Sequence, residues 1–287
     1  MTIVVTGATG QLGQHVLDAL LARGVAAEKI LATGRRADAL AAIAARGVRT
    51  AAVDYDDLAG LQRAFAGAAQ VLLISSSEMG RRVEQHRNVI DAARSAAVES
   101  IVYTSIAHAD TSELKLAAEH LATEELLADS ALTVTTLRNG WYLENYTDQL
   151  GVQVQHGIIG ASGDGRISAA TRADFAEAAA AVLTDASLRG ATYELGGDIA
   201  FTMTEYAAWV SEAAGREVTY TDLGRSGYAA ALEAAGIPAV FADLLADSSA
   251  GAAEGDLEVA GGQLAGLIGR PTTTPYAAIA AALDQVD

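Results

Sequence analysis

Three glycines near the start of the chain have a spacing that can bind phosphate. Gly7, Gly10 and Gly13 stand three residues apart, directly after the apolar run 2–6 and at the start of a helical pattern. In a strand–turn–helix, the first glycine permits the tight turn, the second lets the backbone approach a pyrophosphate, and the third packs the helix on the strand. A purely structural turn is the alternative, but the alternating strands that follow favour a dinucleotide. The backbone N–H groups facing it would be those of Thr9, Gly10, Gln11 and Leu12.

The end of the second predicted strand indicates which dinucleotide. A protein that prefers NAD places a carboxylate there to hold the ribose hydroxyls. Here the strand ends in ATGRR, and the first acidic residue after the strand is Asp38. A guanidinium such as that of Arg35 can hold a ribose 2′-phosphate, whereas two solvated arginines at a helix start would oppose the helix dipole. The pattern favours NADPH, with Arg35 as the phosphate ligand.

Polar residues follow the next three strands, at the sheet edge where ligands bind in parallel α/β folds. Asp54 could meet the adenine or could only initiate a turn. Glu78 is a candidate cap for the following helix. The other predicted cofactor contacts are Ser75, Ser76 and Ser77 after the fourth strand, with a plain polar loop as the alternative, and Tyr103, Thr104 and Ser105 at the end of the fifth.

The usual acid–base pair of carbonyl-reducing short-chain dehydrogenases is absent from the sequence. That chemistry places a lysine four residues after a tyrosine, because a ketone becomes a strongly basic alkoxide that must be protonated. None of the nine tyrosines has a lysine at that spacing, and the position four residues after Tyr103 is Ala107. Either the nucleotide is bound without turnover, or the substrate that accepts the hydride does not need a strong acid.

Candidate acceptor residues come from the segment after the sixth strand and from one histidine. Asn139 can hydrogen-bond a carboxamide or an acceptor oxygen, and Tyr142 offers a flat face for stacking. The alternative is that Tyr142 and Trp141 fill the seam between the two predicted lobes, and Trp141 is equally compatible with either role. His108 could donate a proton or could be a loop histidine, and His86, inside a predicted helix, is interpreted as structural. We therefore predict Asn139, Tyr142 and His108 as catalytic residues.

The elements that must position these residues form a regular alternation. Short apolar runs at 2–6, 29–33, 48–53, 71–74, 101–104 and 132–137 alternate with helical patterns at 11–23, 36–46, 57–65, 84–97 and 114–128. This alternation predicts an α/β fold, a Rossmann-type doubly wound parallel sheet. Later patterns predict a strand at 192–195 and helices at 173–183, 204–214, 226–235, 261–268 and 275–283.

We predict two domains from this arrangement. Residues 1–138 form the NADP-binding Rossmann domain, and part of 150–197 returns to it. Residues 198–287, together with about 139–149, form a smaller, mostly helical C-terminal lobe on the substrate side. The sequence shows neither an internal repeat nor a low-complexity linker.

Composition excludes several kinds of function. The net charge of −17 argues against nucleic-acid binding, because phosphate contacts need a basic face. The chain has no cysteine, which excludes disulfides and thiolate catalysis, and no residues have metal-ligand spacing. Without a membrane-spanning apolar run or a signal-peptide pattern, we expect a cytoplasmic protein that binds no membrane. These features are compatible with a homodimer.

The sequence also resembles a known family. The segments VTGATGQLG, LLISSSE, QHRNVIDAA, YTSIAHADTS, LRNGWYLENY, GDGRISAATRADFAEAAA and IGRPTTT resemble the bacterial NAD(P)H:quinone oxidoreductases of type 2. These belong to the NmrA-like branch of the atypical short-chain dehydrogenases. The resemblance runs nearly end to end and implies NADPH-dependent two-electron reduction of quinones without flavin or metal. The branch also contains triphenylmethane dye reductases and a nucleotide-binding redox sensor. A triphenylmethane or azo dye reductase and a non-catalytic NADP-binding sensor are therefore the alternatives.

Quinone chemistry agrees with the missing acid–base pair. Hydride addition to a quinone gives a hydroquinone anion, a phenolate whose conjugate acid has a pKa of roughly 10, like tyrosine. Water or one hydrogen-bond donor can protonate it. Plant relatives of the isoflavone reductase type carry a lysine at the position that aligns with His120, so lysine-dependent chemistry is not expected here. The expected partner is a quinone or another flat aromatic acceptor.

Overall fold

The computed structural model describes residues 2–285 of the chain. The strands are β1 Ile3–Val5, β2 Ile30–Gly34, β3 Arg49–Ala52, β4 Gln70–Leu73, β5 Ser100–Ile106, β6 Thr133–Asn139, β7 Ile158–Gly160, β8 Thr192–Leu195 and β9 Tyr220–Asp222. The helices of the first half are α1 Gln11–Ala22, α2 Ala37–Ala44, α3 Leu58–Phe65, α4 Arg82–Ser95 and α5 Lys115–Ala128. The later helices are α6 Glu144–Thr147, α7 Leu150–His156, α8 Arg172–Thr184, α9 Met203–Ala214, α10 Gly224–Ala234, α11 Ala239–Gly251, α12 Gln263–Ile268 and α13 Pro275–Leu283.

Seven of these strands form one sheet in the order β3-β2-β1-β4-β5-β6-β8. β1 pairs in parallel with β2 on one side and with β4 on the other, with Val4 opposite Leu31 and Val71. The strand order reverses between β1 and β4, and ligands of open α/β sheets bind outside the carboxyl ends of the strands at such a point. The segments that follow β1 and β4 therefore flank the predicted nucleotide crevice.

The central strands are buried because their side chains are almost all aliphatic. Val4, Val71 and Ile101 lie in one buried cluster with Phe65 of α3 and Val89 of α4. A strand covered by helices on both faces needs apolar residues at consecutive positions instead of an alternating pattern. This explains why the runs TIVVT and VLLI were recognisable as strands in the sequence.

The chain divides into two compact units. The first comprises Met1–Ile106, Glu119–Arg138 and Arg172–Tyr193, and the second comprises Ala107–Ala118, Asn139–Thr171 and Glu194–Asp287. The division differs from the predicted boundaries at residues 107–118, which belong to the second unit. The segment that returns to the first unit is 172–193, inside the predicted range 150–197.

The second unit contains elements that the sequence pattern did not predict. β7 and β9 pair in parallel, with Ile158 opposite Tyr220, although residues 161–219 lie between the two strands. Helix α11 was missed, as were α6 and α7. An aromatic cluster lies within this unit. The Phe201 ring stacks on Tyr206 with 6.0 Å between the ring centroids, and it contacts Trp209 edge-on with 5.7 Å between the ring centroids.

The predicted fold class is confirmed: the structure has a seven-stranded Rossmann-like parallel sheet flanked by helices, with a helical C-terminal region. Among the helices of residues 2–285, none combines the length and the apolar character needed to cross a bilayer.

Candidate active site residues

The three glycines of the first loop have separate structural roles. Gly7 has a φ of 60°, a conformation that side chains disfavour. A Cβ on Gly13 would lie 2.5 Å from the Gly7 carbonyl oxygen and 2.6 Å from Ala8 Cα, so only glycine lets α1 pack this closely on the turn. A Cβ on Gly10 would meet only the Gly7 oxygen, at 3.3 Å. The outer side of Gly10 is therefore open to a ligand.

The N-terminus of α1 can accept an anion. Its N-cap residue is Gly10, and no side chain caps it. Because the first N–H groups of a helix have no intrahelical partners, those of Gln11 and Leu12 point out of the helix at its positive end. The Gln14 side chain donates to the Ala8 carbonyl at 2.9 Å and fixes the loop from behind. An uncapped helix start is what phosphate binding requires, and the phosphate-binding role of this loop stays a prediction.

The end of β2 packs closely against this loop. A Cβ on Gly34 would lie 2.7 Å from the Thr9 side chain, so the loop and the strand can meet here only because Gly34 has no side chain. Thr9 is buried, and its carbonyl accepts a hydrogen bond from the Arg36 guanidinium. Arg36 is thereby committed to the loop backbone, which leaves Arg35 as the arginine beside the crevice.

Arg35 is paired with carboxylates. Its guanidinium contacts Glu78 and lies 3.7 Å from Asp54. The hydrogen bond to Glu78 raises the pKa of Arg35, and the same bond holds the pKa of the Glu78 carboxyl below its ordinary value. The expectation that Glu78 caps the following helix is wrong, because α4 begins after Arg81 without any side-chain cap and Glu78 binds Arg35 instead.

Asp54 and its neighbour Tyr55 organise the turn after β3. Asp54 Oδ1 accepts a hydrogen bond from the Asp56 N–H at 3.1 Å, which is the turn-forming role considered above. Tyr55 was not singled out in the sequence. Its hydroxyl donates to the Ile74 carbonyl at 2.7 Å and lies 2.6 Å from Thr6 Oγ1. Tyr55 therefore links the turn after β3 to the ends of β1 and β4.

The serine loop, residues 75–77, is held from below by buried side chains. The Ser75 N–H donates to Thr104 Oγ1 at 2.9 Å, and the Ser76 N–H donates to His86 Nε2 at 2.9 Å. Arg82 Nε donates to the Ser76 carbonyl at 2.7 Å. Ser77 is exposed, whereas Ser75 and Ser76 are half-buried. The backbone of the loop is thus fixed beside the crevice.

His86 is neutral and has one defined tautomer. Because Nε2 accepts from a backbone N–H, the proton must be on Nδ1, which lies 3.0 Å from Thr123 Oγ1. The Thr123 hydroxyl donates in turn to the Glu119 carbonyl at 2.9 Å. Burial and the nearby Arg82 charge lower the pKa of His86 to about 3. The structural role expected of His86 is more specific than the sequence indicated, because the ring supports the serine loop.

The residues at the end of β5 lie below the crevice surface. Tyr103 is fully buried, and its hydroxyl lies 2.7 Å from His120 Nδ1. Ser105 is also buried and donates to Glu124. The prediction of direct cofactor contact is therefore not supported for Tyr103 and Ser105, whose side chains are used inside the fold. Thr104, also buried, acts on the serine loop through Ser75.

A buried ion pair joins β6 to α5. Arg138 Nη2 lies 2.7 Å from Glu124 Oε2, and Arg138 Nε donates to Glu124 Oε1 at 3.1 Å. Such a two-point contact fixes the guanidinium plane. Because Glu124 also accepts from Ser105, it connects the ends of β5 and β6. This pair could not be predicted from the sequence, because the two residues share no motif.

Asn139, the last residue of β6, carries an unsatisfied acceptor. Its side chain is 4% exposed, and its Oδ1 atom has no hydrogen-bond partner within residues 2–285. A buried acceptor without a partner is unfavourable by about 1–3 kcal/mol, so such atoms need an explanation. A ligand N–H would provide one.

Trp141 and Tyr142 lie in an extended segment of the second unit. The Ala170 N–H donates to the Trp141 carbonyl at 3.1 Å, and the Leu143 N–H donates to the Ala170 carbonyl at 2.9 Å. Both aromatic side chains are partly exposed. The backbone is thus fixed by pairing with residue 170, independently of the rings.

His108 is also tied to its neighbours. Its backbone has a φ of 55°, its N–H donates to Glu194 at 3.1 Å, and its Nε2 lies 2.9 Å from the Glu258 carbonyl oxygen. Since a carbonyl only accepts, Nε2 carries the proton and donates it. To protonate a ligand from Nε2, His108 would first have to leave Glu258. No group of three or more side chains within residues 2–285 could hold a metal ion.

The strand order and the glycine loop define a Rossmann-type dinucleotide-binding protein. The chain belongs to the NmrA-like family, whose model matches residues 1–248. It is 50% identical to quinone oxidoreductase 2 of Escherichia coli K12 over 273 residues, which is 95% of each chain. The predicted family is confirmed.

Two solved structures show the same architecture. The NADPH-dependent quinone oxidoreductase of Escherichia coli, complexed with NADPH, has a TM-score of 0.95 and 47% identity over 100% of both chains. The triphenylmethane reductase of Citrobacter sp. has a TM-score of 0.93 and 33% identity, covering 99% of this chain and 100% of that one. The whole chain is therefore similar to nucleotide-dependent reductases.

Proposed function

We propose that this protein is an NADPH-dependent quinone reductase that transfers a hydride directly to the quinone, without flavin or metal. The observation that carries the proposal is the 50% identity, over 95% of both chains, with a quinone oxidoreductase. The residues of the crevice agree with it, because they provide for a dinucleotide phosphate and lack the acid–base pair of ketone reduction.

The described residues fit the cofactor at two separate points. The uncapped N-terminus of α1 offers N–H groups to a pyrophosphate, and Arg35 offers a cation where a 2′-phosphate is expected. The serine loop would contact the cofactor's ribose and phosphates. When bound, NADPH supplies the hydride, and the protein supplies orientation.

At the nicotinamide end of the cofactor, we assign Asn139 Oδ1 to the carboxamide group. This oxygen has no hydrogen-bond partner within residues 2–285, and the carboxamide has an N–H to donate to it. Asn139 would then fix the rotation of the ring and with it the position of the transferable hydride. Tyr142 would hold the planar quinone by stacking. The phenolate product needs only a weak acid, so water, or His108 after leaving Glu258, is sufficient to protonate it.

A dye reductase is the second candidate. The 33% identity with a triphenylmethane reductase over nearly the whole chain favours it specifically. Reduction of a cationic dye needs a hydride and no proton, so the same residues would suffice. The redox-sensor alternative differs from both enzymes because it predicts binding without turnover.

The test is oxidation of NADPH by the purified protein, stripped of flavin and metal, with a panel of quinones and triarylmethane dyes. We expect one NADPH consumed per hydroquinone formed, with the quinones turned over at higher kcat/KM than the dyes. Faster turnover of the dyes would make the protein a dye reductase. Tight NADPH binding with no turnover of either class would contradict both enzymes and support the sensor.

A further inference from the structure

The residue predicted to bind the 2′-phosphate already has an anionic partner within the protein. Arg35 follows β2, Glu78 follows the serine loop after β4, and their side chains form an ion pair. Asp54 lies close to the same guanidinium, at 3.7 Å. Arg35 is thus bound to a carboxylate that comes from the opposite side of the strand-order reversal.

Glu78 is the fixed member of this pair. Its Oε2 accepts a hydrogen bond from the buried Gln85 side chain at 3.0 Å, and its N–H donates to Ser76 Oγ at 3.1 Å. Arg81 lies 3.4 Å from the same Oε2. The Glu78 side chain is 29% exposed, whereas that of Arg35 is 59% exposed. Arg35 is therefore the partner that can move.

A guanidinium binds an anion best when it offers two parallel N–H donors. The contact of Arg35 with Glu78 uses Nη1, which also lies 3.7 Å from Asp54 Oδ2. A 2′-phosphate that makes a two-point contact through Nη1 competes with Glu78 for that donor, and it also meets the negative charge of the Glu78 carboxylate. NADH has no 2′-phosphate and leaves the ion pair intact. Binding of NADPH therefore competes with the Arg35–Glu78 ion pair, whereas binding of NADH does not.

We propose that Glu78 is a specificity-determining residue whose carboxylate competes with the 2′-phosphate of NADPH for Arg35. The proposal rests on the proposed function, in which Arg35 binds that phosphate. In this arrangement Glu78 lowers the preference for NADPH over NADH below the value that Arg35 alone would give.

The experiment measures the Kd of NADPH and of NADH by calorimetry for the wild type and for Glu78→Gln, which keeps the shape and loses the charge. We expect the affinity for NADPH to rise about three- to fivefold, the size of an exposed ion pair, and the affinity for NADH to change less than about twofold. The gain should shrink at high salt, because exposed charges are screened. A weaker affinity for NADPH, or equal changes for both nucleotides, would overturn the proposal.

Two further variants separate the outcomes. Glu84→Gln removes an equal charge from an exposed position in the first turn of α4 and should leave both affinities unchanged. Arg35→Gln should abolish the preference for NADPH, and in that background Glu78→Gln should give little additional gain. If Arg35→Gln leaves the preference intact, the assigned phosphate ligand is wrong. If it abolishes the preference but Glu78→Gln gives no gain, only the competition is refuted.

Discussion

The imidazole of His86 accepts the Ser76 backbone N–H at 2.9 Å, so a fully buried side chain of α4 determines where the serine loop lies. An acceptor on this ring requires the neutral form. Both partners of the ring, Ser76 and Thr123, are satisfied only in one tautomer. The position of a predicted cofactor-binding loop therefore depends on the protonation state of a fully buried residue.

Mild acid should destabilise the protein through its buried histidines. Burial lowers the pKa of His86 to about 3, and burial also holds the pKa of His120 well below its ordinary value. The unfolded chain binds these protons near pH 6.5 and the folded chain does not, so this stability is present above about pH 6.5 and is lost as the pH falls. Below that pH, each histidine lowers the free energy of unfolding by up to about 1.4 kcal/mol for each pH unit.

Urea unfolding at several pH values between about 7 and 5 measures how steeply the free energy of unfolding falls with pH. His86→Gln, which keeps an acceptor for Ser76, should give a shallower decline than the wild type. Replacement of the exposed His156 by glutamine should leave the slope unchanged. Equal slopes for all three proteins would contradict the assignment.

Gly13→Ala should disrupt the loop and weaken nucleotide binding. The added Cβ would lie 2.5 Å from the Gly7 oxygen, and backbone cannot give way as a flexible side chain can. We expect a loss of roughly 1–3 kcal/mol in the free energy of unfolding, as for overpacked cores. Gly266→Ala is the matched control, because its Cβ in α12 meets no atom within 4 Å, and it should be neutral or stabilising. Equal stability of the two variants would refute the close contact.

Asn139→Leu should impair catalysis without lowering stability. It removes a buried acceptor that has no partner within residues 2–285, so the free protein should be at least as stable as the wild type. The lost hydrogen bond to the carboxamide should reduce kcat/KM up to about tenfold, the equivalent of a typical neutral hydrogen bond. Steady-state kinetics and a melting curve measure both effects. A lower Tm with unchanged kcat/KM would assign Asn139 to the fold.

Tyr142→Ala should raise the KM for quinone and leave NADPH affinity almost unchanged. A lost stacking contact costs roughly 0.5–1.5 kcal/mol, which is about a tenfold effect at most. Tyr142→Phe, which keeps the ring, should retain the wild-type KM. The backbone here is fixed by its pairing with Ala170, so the substitution should not displace the segment. An unchanged quinone KM together with a reduced Tm would make Tyr142 a packing residue.

The sequence predicted the parts of the fold that depend on local pattern. β1 and α1 were recognisable because an apolar run, three glycines and a helical pattern follow one another directly, and β8 and α13 have the predicted bounds. α11 was missed because its sequence, AVFADLLADSSAG, has no clear apolar face and ends in serine, alanine and glycine. β7 and β9 are three residues each and exist only through a pairing distant in sequence.

Only part of the candidate site could be predicted from the sequence, because only part of it depends on local pattern. The glycine loop is a local motif, so a phosphate-binding role could be predicted from its spacing. The Arg35–Glu78 and His86–Ser76 contacts depend on which strand ends are neighbours in space, and residue types alone do not reveal this. The prediction of cofactor contact is not supported for Tyr103, because a residue at the end of a strand can point into the core as well as toward a ligand.

The pairing of β1 with β4 ties the nucleotide crevice to a long-range step in folding. Ile3–Val5 must find Gln70–Leu73 before the glycine loop and the serine loop become neighbours, and such contacts form late because the intervening chain must first be ordered. A fragment containing only β1, the glycine loop and α1 should therefore bind no dinucleotide. In a nascent chain, nucleotide binding would therefore indicate that β1 and β4 have paired. The bound nucleotide would then stabilise the folded state by mass action.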